Sequence, residues 1–212
     1  MAGDARYGYG YYEGDESNYG ILGGYTSLPM RFCRFFVYRK AMSILKAHKK
    51  AGRLLDVGCA YGFWAEFSRR NGFDSSGCDV SKFAVSAAKE RFPHMDFRQA
   101  DIEKPLDFPS SAFDVVTAFD VLEHCRDIGP TLSELRRVLN DDGILLVSVP
   151  DSDLFSQERD RDDTHVWYMN FEGWKAVFEK NGFSVAGSWV FPRPLKDVRP
   201  RWCIRLTLLR KR

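Results

Sequence analysis

The stretch LLDVGCAYGFW, residues 54–64, decides the fold of this chain. An apolar run leads through Asp56, and two glycines, Gly58 and Gly62, follow four residues apart before a group of aromatic residues. This pattern is typical of a strand, a tight turn and the start of a helix. In a parallel sheet, a turn of this kind at the carboxyl end of a strand binds nucleotides.

Strands and helices alternate along the rest of the chain. Hydrophobic periodicity and turn residues predict strands at 53–57, 75–80, 95–100, 113–122, 144–150, 183–191 and 203–209, and helices at 30–50, 63–70, 81–91, 132–139 and 171–180. Alternation of this kind builds parallel β-α-β units. The sequence therefore predicts an α/β fold with a mostly parallel sheet and helices on both faces.

The helix predicted at 30–50 ends in basic residues and Gly52. Six apolar residues recur along it at helical spacing: Phe32, Phe35, Phe36, Ala41, Ile44 and Leu45. We expect this helix to lead into the core.

The composition excludes several classes of protein. The chain has 212 residues, 44% of them hydrophobic, and a formal charge of +2, which suits a single globular domain. Its five cysteines lack C-x-x-C spacing, which favours free thiols over a disulfide framework or a zinc site. Because no apolar signal segment and no run of membrane-spanning length is present, we expect a cytoplasmic protein.

The two ends of the chain differ from its middle. Residues 1–29 form a predicted arm rich in tyrosine and glycine, which either closes over a ligand or is a mobile tail. Residues 30–212 predict one domain, in which the polar segment 151–166 is a candidate lid. The stretch 191–212 carries eight Lys or Arg and one acid, and this basic tail either touches phosphate or anionic lipid or forms a solvated edge.

The glycine turn lacks the features that bind a chain of phosphates. A dinucleotide site has the pattern G-x-G-x-x-G, and here its three positions are Gly58, Ala60 and Phe63. No Gly-Lys-Ser/Thr follows, so a Walker loop is excluded as well. A nicotinamide or flavin cofactor is therefore disfavoured.

Two carboxylates are placed to hold a nucleoside instead. Asp79 ends the second predicted strand, about twenty residues beyond the glycine turn, where a carboxylate can accept hydrogen bonds from both ribose hydroxyls. Asp101 ends the third strand, where it can reach an adenine amino group while Ile102 covers the ring. Asp101 can alternatively cap a turn.

The segments LLDVGCAYG, GCDVS, QADIE and FDVVTAFDVLEH resemble, in order, the motifs of class I S-adenosylmethionine-dependent methyltransferases. The resemblance covers residues 30–190 and is closest to the small-molecule, ubiquinone-pathway O-methyltransferase-like group. It implies a Rossmann-like sheet of seven strands with an antiparallel last strand, which 203–209 can supply. It departs from the family at Ala60, where the family usually has glycine.

The resemblance implies a role for each residue of the cofactor site. It places Asp56, Gly58, Ala60 and Gly62 in the turn under the methionine portion and Asp79 with Val80 at the ribose. It places Asp101 with Ile102 at the adenine and Phe119 with Asp120 at the methionine end. For Asp56, direct contact and a structural role in the turn remain equal alternatives.

Methyl transfer to a hydroxyl needs a base, and two histidines are candidates. His124 follows the fourth strand and His165 follows the candidate lid. His124 can also be structural, and His165 can simply anchor the lid. The ubiquinone-pathway enzymes carry a Glu-x-x-Glu-His cluster implicated in metal binding. Here its first position is Asp120, ahead of Glu123, so no metal is assigned.

The sequence thus predicts transfer of a methyl group from S-adenosylmethionine to a small molecule, at a hydroxyl oxygen, by a monomer or homodimer. One alternative is a non-catalytic module that binds the cofactor. Another is an RNA methyltransferase using the basic tail, which is disfavoured because FDVLEH stands where such amino-directed enzymes carry Asn/Asp-Pro-Pro-aromatic.

Overall fold

Seven strands form one twisted sheet in the computed structural model, which describes residues 6–154, 162–192 and 204–212. The strands are β1 (Gly52–Val57), β2 (Phe73–Asp79), β3 (Phe97–Gln99), β4 (Phe113–Phe119), β5 (Leu139–Ser148), β6 (Phe183–Phe191) and β7 (Ile204–Lys211). Their spatial order is β3-β2-β1-β4-β5-β7-β6, and β7 is antiparallel to both of its neighbours. The predicted mostly parallel sheet with an antiparallel last strand is confirmed. Residue 203, the predicted start of that strand, lies outside the described residues.

Six α-helices in the described part of the chain connect or flank these strands, and polar side chains fix where several of them begin. The helices are α1 (Tyr9–Glu13), α2 (Leu28–His48), α3 (Phe63–Arg70), α4 (Lys82–Arg91), α5 (Ile128–Val138) and α6 (Phe171–Lys180). Ser81 caps α4, because its hydroxyl accepts a hydrogen bond from the Ala84 amide at 3.0 Å. Asp127 caps α5 in the same way, which starts this helix four residues before the predicted position.

The helices cover both faces of the sheet. Successive residues of a strand point to opposite faces, so Leu55 of β1 packs in the same cluster as α5 and α6, whereas Leu54 packs in a cluster with α2 and α3. The predicted helices on both faces are therefore confirmed. Strand β5 includes the turn residues Asp142 and Gly143. The pairing with β4 is irregular at this point, because residues 140–143 of β5 lie opposite a single residue of β4.

The expectation that α2 leads into the core holds for the second half of the helix. Three of the six apolar residues lie in that half and are buried, but Phe32, Phe35 and Phe36 are 66%, 47% and 40% exposed. Each residue advances about 100° around a helix. The phenylalanines therefore fall on an arc facing away from the one that Ala41 and Leu45 occupy.

The N-terminal arm is ordered onto the domain rather than being a loop. It contains α1 and a 3₁₀ helix at Asn18–Leu22, and Tyr11, Tyr12 and Tyr25 are buried against Tyr61 and its neighbours. These short helices have no hydrophobic period of their own. Tertiary burial of the rings stabilises them instead.

The candidate lid is described only at its two ends, since residues 155–161 lie outside the described part of the chain. At the first end, Asp151 is buried and its backbone forms an isolated β-bridge with Met169. Its Oδ2 forms a salt bridge with Arg205 Nε at 2.5 Å. At the second end, Asp162 and Thr164 are buried.

A hydrogen-bonded chain of three side chains ties α3 and β4 to β1 beneath the glycine turn. The Trp64 indole donates to Thr117 Oγ1 at 3.0 Å, and Thr117 donates to Asp56 Oδ1 at 2.9 Å. Burial raises the pKa of Asp56 to about 8, although the bond from Thr117 opposes this. Asp56 therefore serves the packing of the sheet.

We predict that Asp56→Asn removes a pH-dependent loss of stability. The pKa of Asp56 is raised from its ordinary 3.8 to about 8, so the wild type loses stability as pH rises through that range. The asparagine cannot ionise but still accepts from Thr117. Urea unfolding should show the variant gaining on the wild type between pH 5 and 8, by up to about 1.4 kcal/mol per pH unit. A constant difference would contradict this, and Asp107→Asn, at an exposed carboxylate, is the control.

Candidate active site

A cavity of about 460 Å³ opens at the carboxyl ends of β1, β2 and β4. This is where ligands bind in open parallel sheets, and the volume is that of a small-molecule site. Nine of the twelve predicted site residues line it: Gly58, Ala60, Asp79, Val80, Asp101, Ile102, Phe119, Asp120 and His124. Asp56, Gly62 and His165 do not line it.

The glycine turn forms one wall of this cavity, and three of its residues adopt a left-handed backbone. Gly58 has φ +69°, and a side chain there would collide with Val121. Ala60 adopts φ +46° despite its methyl group. Gly62 has φ +75° and does not line the cavity, and a Cβ on it would lie 2.5 Å from Phe97 Cζ. Its role is the close packing of α3 on the sheet.

Asp79 joins the turn after β1 to the turn after β2. Its Oδ2 accepts from the Ala60 amide at 2.8 Å and its Oδ1 accepts from the Ser81 amide at 2.9 Å. Burial raises its pKa to about 6, against the effect of these two bonds. Each carboxylate oxygen can accept a further hydrogen bond, so both remain able to hold a ribose hydroxyl.

Asp101 lies at the opposite wall, in the turn after β3. Its Oδ1 accepts from the Glu103 amide at 3.1 Å and its Oδ2 pairs with Lys104 at 2.9 Å. Asp101 therefore caps a turn and also lines the cavity beside Ile102. The two alternatives that the sequence left open are compatible in the structure.

Asp120 follows β4 in a strained backbone conformation, with φ +54°. The hydroxyl of Ser148 donates to its Oδ1 at 2.8 Å, which fixes the side chain between β4 and β5. Burial raises the pKa of Asp120 above its ordinary value. Phe119 stands beside it and packs against Trp64.

His124 lines the cavity and is held by two residues from the second end of the candidate lid. Its Nδ1 lies 2.7 Å from Thr164 Oγ1, and Thr164 donates to Asp162 Oδ1. Because a hydroxyl has one proton, Nδ1 of His124 is the donor to Thr164, and Nε2 carries the lone pair. This is the tautomer that a general base needs.

His165 stands behind His124 rather than at the cavity. The two rings are 4.7 Å apart, and Nε2 of His165 is 3.9 Å from Glu123 Oε1 and 3.8 Å from Asp162 Oδ2. This position favours the alternative in which His165 anchors the lid segment.

Glu123, His124 and His165 offer ligand atoms within 4.8 Å of one another. The sequence aligned Asp120, Glu123 and His124 with the cluster of the ubiquinone-pathway enzymes without assigning a metal, and of these three only Glu123 and His124 belong to the group in the structure. His165 takes the place of Asp120 in the group. Imidazole and carboxylate suit a divalent cation, so a metal could be held beside His124.

The N-terminal arm forms the roof of the cavity, which favours the alternative in which it closes over a ligand, although the sequence did not predict which of its residues line the site. Arg6 and four tyrosines of the arm, Tyr7, Tyr11, Tyr12 and Tyr19, line it. The Tyr11 hydroxyl donates to Asp162 Oδ2 at 2.9 Å, so the arm is joined to the residues that hold His124. Tyr7 also packs edge-on against the His124 ring, with centroids 5.8 Å apart. The density of tyrosines in 7–25 was the available sequence signal.

The described part of the basic tail is paired within the molecule. Arg205 binds Asp151, Lys211 lies 3.1 Å from Asp141, and Arg212 lies 3.2 Å from Glu179. Residues 193–203 lie outside the described residues. Among the helices that the structure describes, none is long and apolar enough to cross a membrane.

Comparison with known proteins identifies the family. Residues 31–187 match a family model described as a methyltransferase domain. A protein of Mycolicibacterium smegmatis named a probable S-adenosylmethionine-dependent methyltransferase is 33% identical over 66% of this chain and 55% of its own length. The ubiquinone biosynthesis O-methyltransferase of Azorhizobium caulinodans is 37% identical over 47% of this chain and 40% of its own. The chain thus spans about half the length of these relatives.

The fold comparison agrees. The crystal structure of an S-adenosylmethionine-dependent methyltransferase from Mesorhizobium loti superposes with a TM-score of 0.65, covering 81% of this chain and 96% of that one at 16% identity. The chain belongs to the class I family of S-adenosylmethionine-dependent methyltransferase domains. S-adenosylmethionine is the cofactor of this family.

We predict that Asp79→Asn weakens binding of S-adenosylhomocysteine about ten- to a hundredfold, because hydrogen bonds to a charged acceptor are lost. In the wild type, affinity should also fall as pH drops through about 6, where Asp79 takes up a proton. Calorimetric titration between pH 5 and 8 measures both effects. Equal affinity in wild type and variant would contradict the role of Asp79, and Asp74→Asn, on an exposed residue of β2, is the control.

We predict that Tyr11→Phe loosens the arm. The change removes the buried hydrogen bond to Asp162 and leaves the ring in place. Hydrogen exchange of the amides in 9–25 should be roughly tenfold faster in the variant, since a bond to a charged group contributes about 1.5–3 kcal/mol. Tyr9→Phe, at an exposed ring, is the matched control. Unchanged exchange in Tyr11→Phe would contradict the coupling.

Proposed function

We propose that this protein transfers a methyl group from S-adenosylmethionine to a hydroxyl oxygen of a small-molecule acceptor. The observation that carries the proposal is His124, a histidine at the cavity wall whose Nδ1 proton is directed to Thr164. A hydroxyl must lose its proton as it becomes a nucleophile, whereas many amines need no base. An ordered imidazole with its lone pair on Nε2 suits an oxygen acceptor.

The described residues fit S-adenosylmethionine. The cavity is lined by the tight turn at Gly58, by the Asp79 carboxylate, which we assign to the ribose, and by Asp101 and Ile102, which we assign to the adenine. When bound, this cofactor supplies a methyl group on a sulfonium, which is already an excellent leaving group. The protein's task is then to hold the acceptor in line and to exclude water.

The roof of the cavity supports a small acceptor. Tyr7, Tyr11, Tyr12 and Tyr19 close one side of the space beside His124, and their rings offer apolar surface with hydroxyl groups for orientation. The relative from Azorhizobium caulinodans named as a ubiquinone biosynthesis O-methyltransferase also points to an oxygen acceptor.

In this proposal His124 takes the acceptor's proton at Nε2. The Thr164 hydroxyl and the Asp162 carboxylate keep the other ring nitrogen as the donor and stabilise the imidazolium that forms. His165 positions this group from behind. The carboxylate of Asp120, held by Ser148, borders the methionine end of the cavity.

The test has two stages. The first measures S-adenosylhomocysteine release by the wild type with a panel of phenols, catechols and sugar alcohols, and with matched amines. Turnover restricted to hydroxyl acceptors supports the proposal. Turnover restricted to amines, or cofactor binding without turnover on any acceptor, would refute it, and the second result would favour a binding module.

The second stage uses the best acceptor. We predict that His124→Gln lowers kcat about a hundredfold or more while the cofactor Kd changes less than about threefold, because the base is lost and the nucleoside contacts remain. Added imidazole should partly restore His124→Ala. His48→Gln, at the far end of α2, serves as the control. A wild-type kcat in His124→Gln would remove His124 from the chemistry.

A further inference from the structure

Helix α2 carries a stripe of large apolar side chains that the fold does not cover. Leu28, Phe32, Phe35 and Phe36 are 77%, 66%, 47% and 40% exposed. We call these four residues the α2 apolar stripe. A stripe of this size on one helix marks an interaction surface, whereas single exposed apolar residues are ordinary.

The stripe is continuous. At about 100° per residue, its four members fall within an arc of roughly 100° on the side of α2 that faces away from Ala41 and Leu45, which are fully buried. The rings of Phe32 and Phe36 are 4.8 Å apart and those of Phe35 and Phe36 are 5.4 Å apart. A partner would therefore meet a preassembled aromatic surface.

The charged residues of α2 itself are all of one sign. The 21 residues of α2 include five Lys or Arg and no Asp or Glu. The Arg39 guanidinium lies over the Phe35 ring at 5.7 Å, within the arc of the stripe. Arg31 and Lys40 flank the stripe on its two sides. Arg34 is turned inward, over the Tyr25 ring at 4.1 Å.

A basic hollow lies beside the first turn of α2. It has a volume of about 250 Å³ and is lined by Thr26, Arg31, Phe63 and Arg91. The Arg91 guanidinium is 4.8 Å from the Phe63 ring centroid, so the wall is aromatic and cationic together. Two guanidiniums around a space of this size suit a phosphate group, which arginine binds in bidentate fashion.

We propose that α2 docks this domain on an anionic phospholipid surface. The α2 apolar stripe would enter the boundary between headgroups and acyl chains, and the basic hollow would take a lipid phosphate. A second copy of the chain fits poorly, because a two-fold contact through this stripe would bring cations together with no acid of α2 to pair them. The proposal does not depend on the identity of the methyl acceptor.

Co-sedimentation of the full chain with vesicles tests this proposal. Vesicles of phosphatidylglycerol mixed with phosphatidylcholine should bind the wild type, and the binding should weaken as salt is raised. Vesicles of phosphatidylcholine alone should bind it at least about tenfold more weakly, since each cation near an anionic surface favours binding. Equal binding to both vesicles, or none to the anionic ones at low salt, would overturn the proposal.

Two double variants separate the apolar and basic parts. Phe32→Ser with Phe35→Ser should reduce binding to anionic vesicles by about tenfold or more. Arg31→Ala with Arg91→Ala should remove most of the preference for anionic lipid. Val166→Ser, which is 55% exposed on another segment, is the apolar control and should bind as the wild type does.

Two further measurements keep the result interpretable. Thermal unfolding of each variant should stay close to that of the wild type, because the altered phenylalanines are solvent-exposed. In sedimentation velocity without lipid, the wild type should not self-associate through the stripe, so the wild type and Phe32→Ser with Phe35→Ser should sediment alike. Such an association would assign the stripe to a second copy and overturn the lipid proposal, as would unchanged vesicle binding by the phenylalanine variant.

Discussion

The candidate site depends on the hydrogen bonds that the buried carboxylate of Asp79 accepts. This carboxylate accepts one amide from the turn after β1 and one from the turn after β2, and so sets the distance between two walls of the cavity. These two bonds oppose the rise in pKa that burial imposes. The group that holds the two turns together is also the one that we propose binds the ribose, so local structure and ligand affinity would depend on one residue.

The roof of the cavity depends on a second buried carboxylate, Asp162. It receives hydrogen bonds from Tyr11 of the arm and from Thr164, and Thr164 in turn holds His124. The order of the arm and the orientation of the imidazole are therefore coupled through one side chain. In the proposed reaction, this coupling would orient the His124 imidazole at the same time as the arm closes over the acceptor.

The aromatic residues of α2 and of the arm show what hydrophobic periodicity can and cannot predict. Helical spacing correctly predicted α2 but did not tell its exposed face from its buried one, because an apolar surface gives the same spacing whether or not the fold covers it. The core fixed the phase through Leu45, and this left the phenylalanines outward. The tyrosines of the arm carried no period at all, and they acquired short helices only by packing over the turn that contains Tyr61.

The mostly parallel sheet and the meeting of Gly58, Asp79 and Asp101 at one cavity could be predicted from the sequence. They follow from local rules: strands end where turn residues begin, and the carboxyl ends of parallel strands meet at one edge. The antiparallel last strand was implied by the resemblance to the family. The packing contacts of Asp56 and Gly62, the place of His165 behind His124 and the position of the arm over the cavity became visible only in the folded structure. Each of these depends on contacts between residues far apart in the chain, such as Tyr11 with Asp162, and local patterns do not encode such contacts.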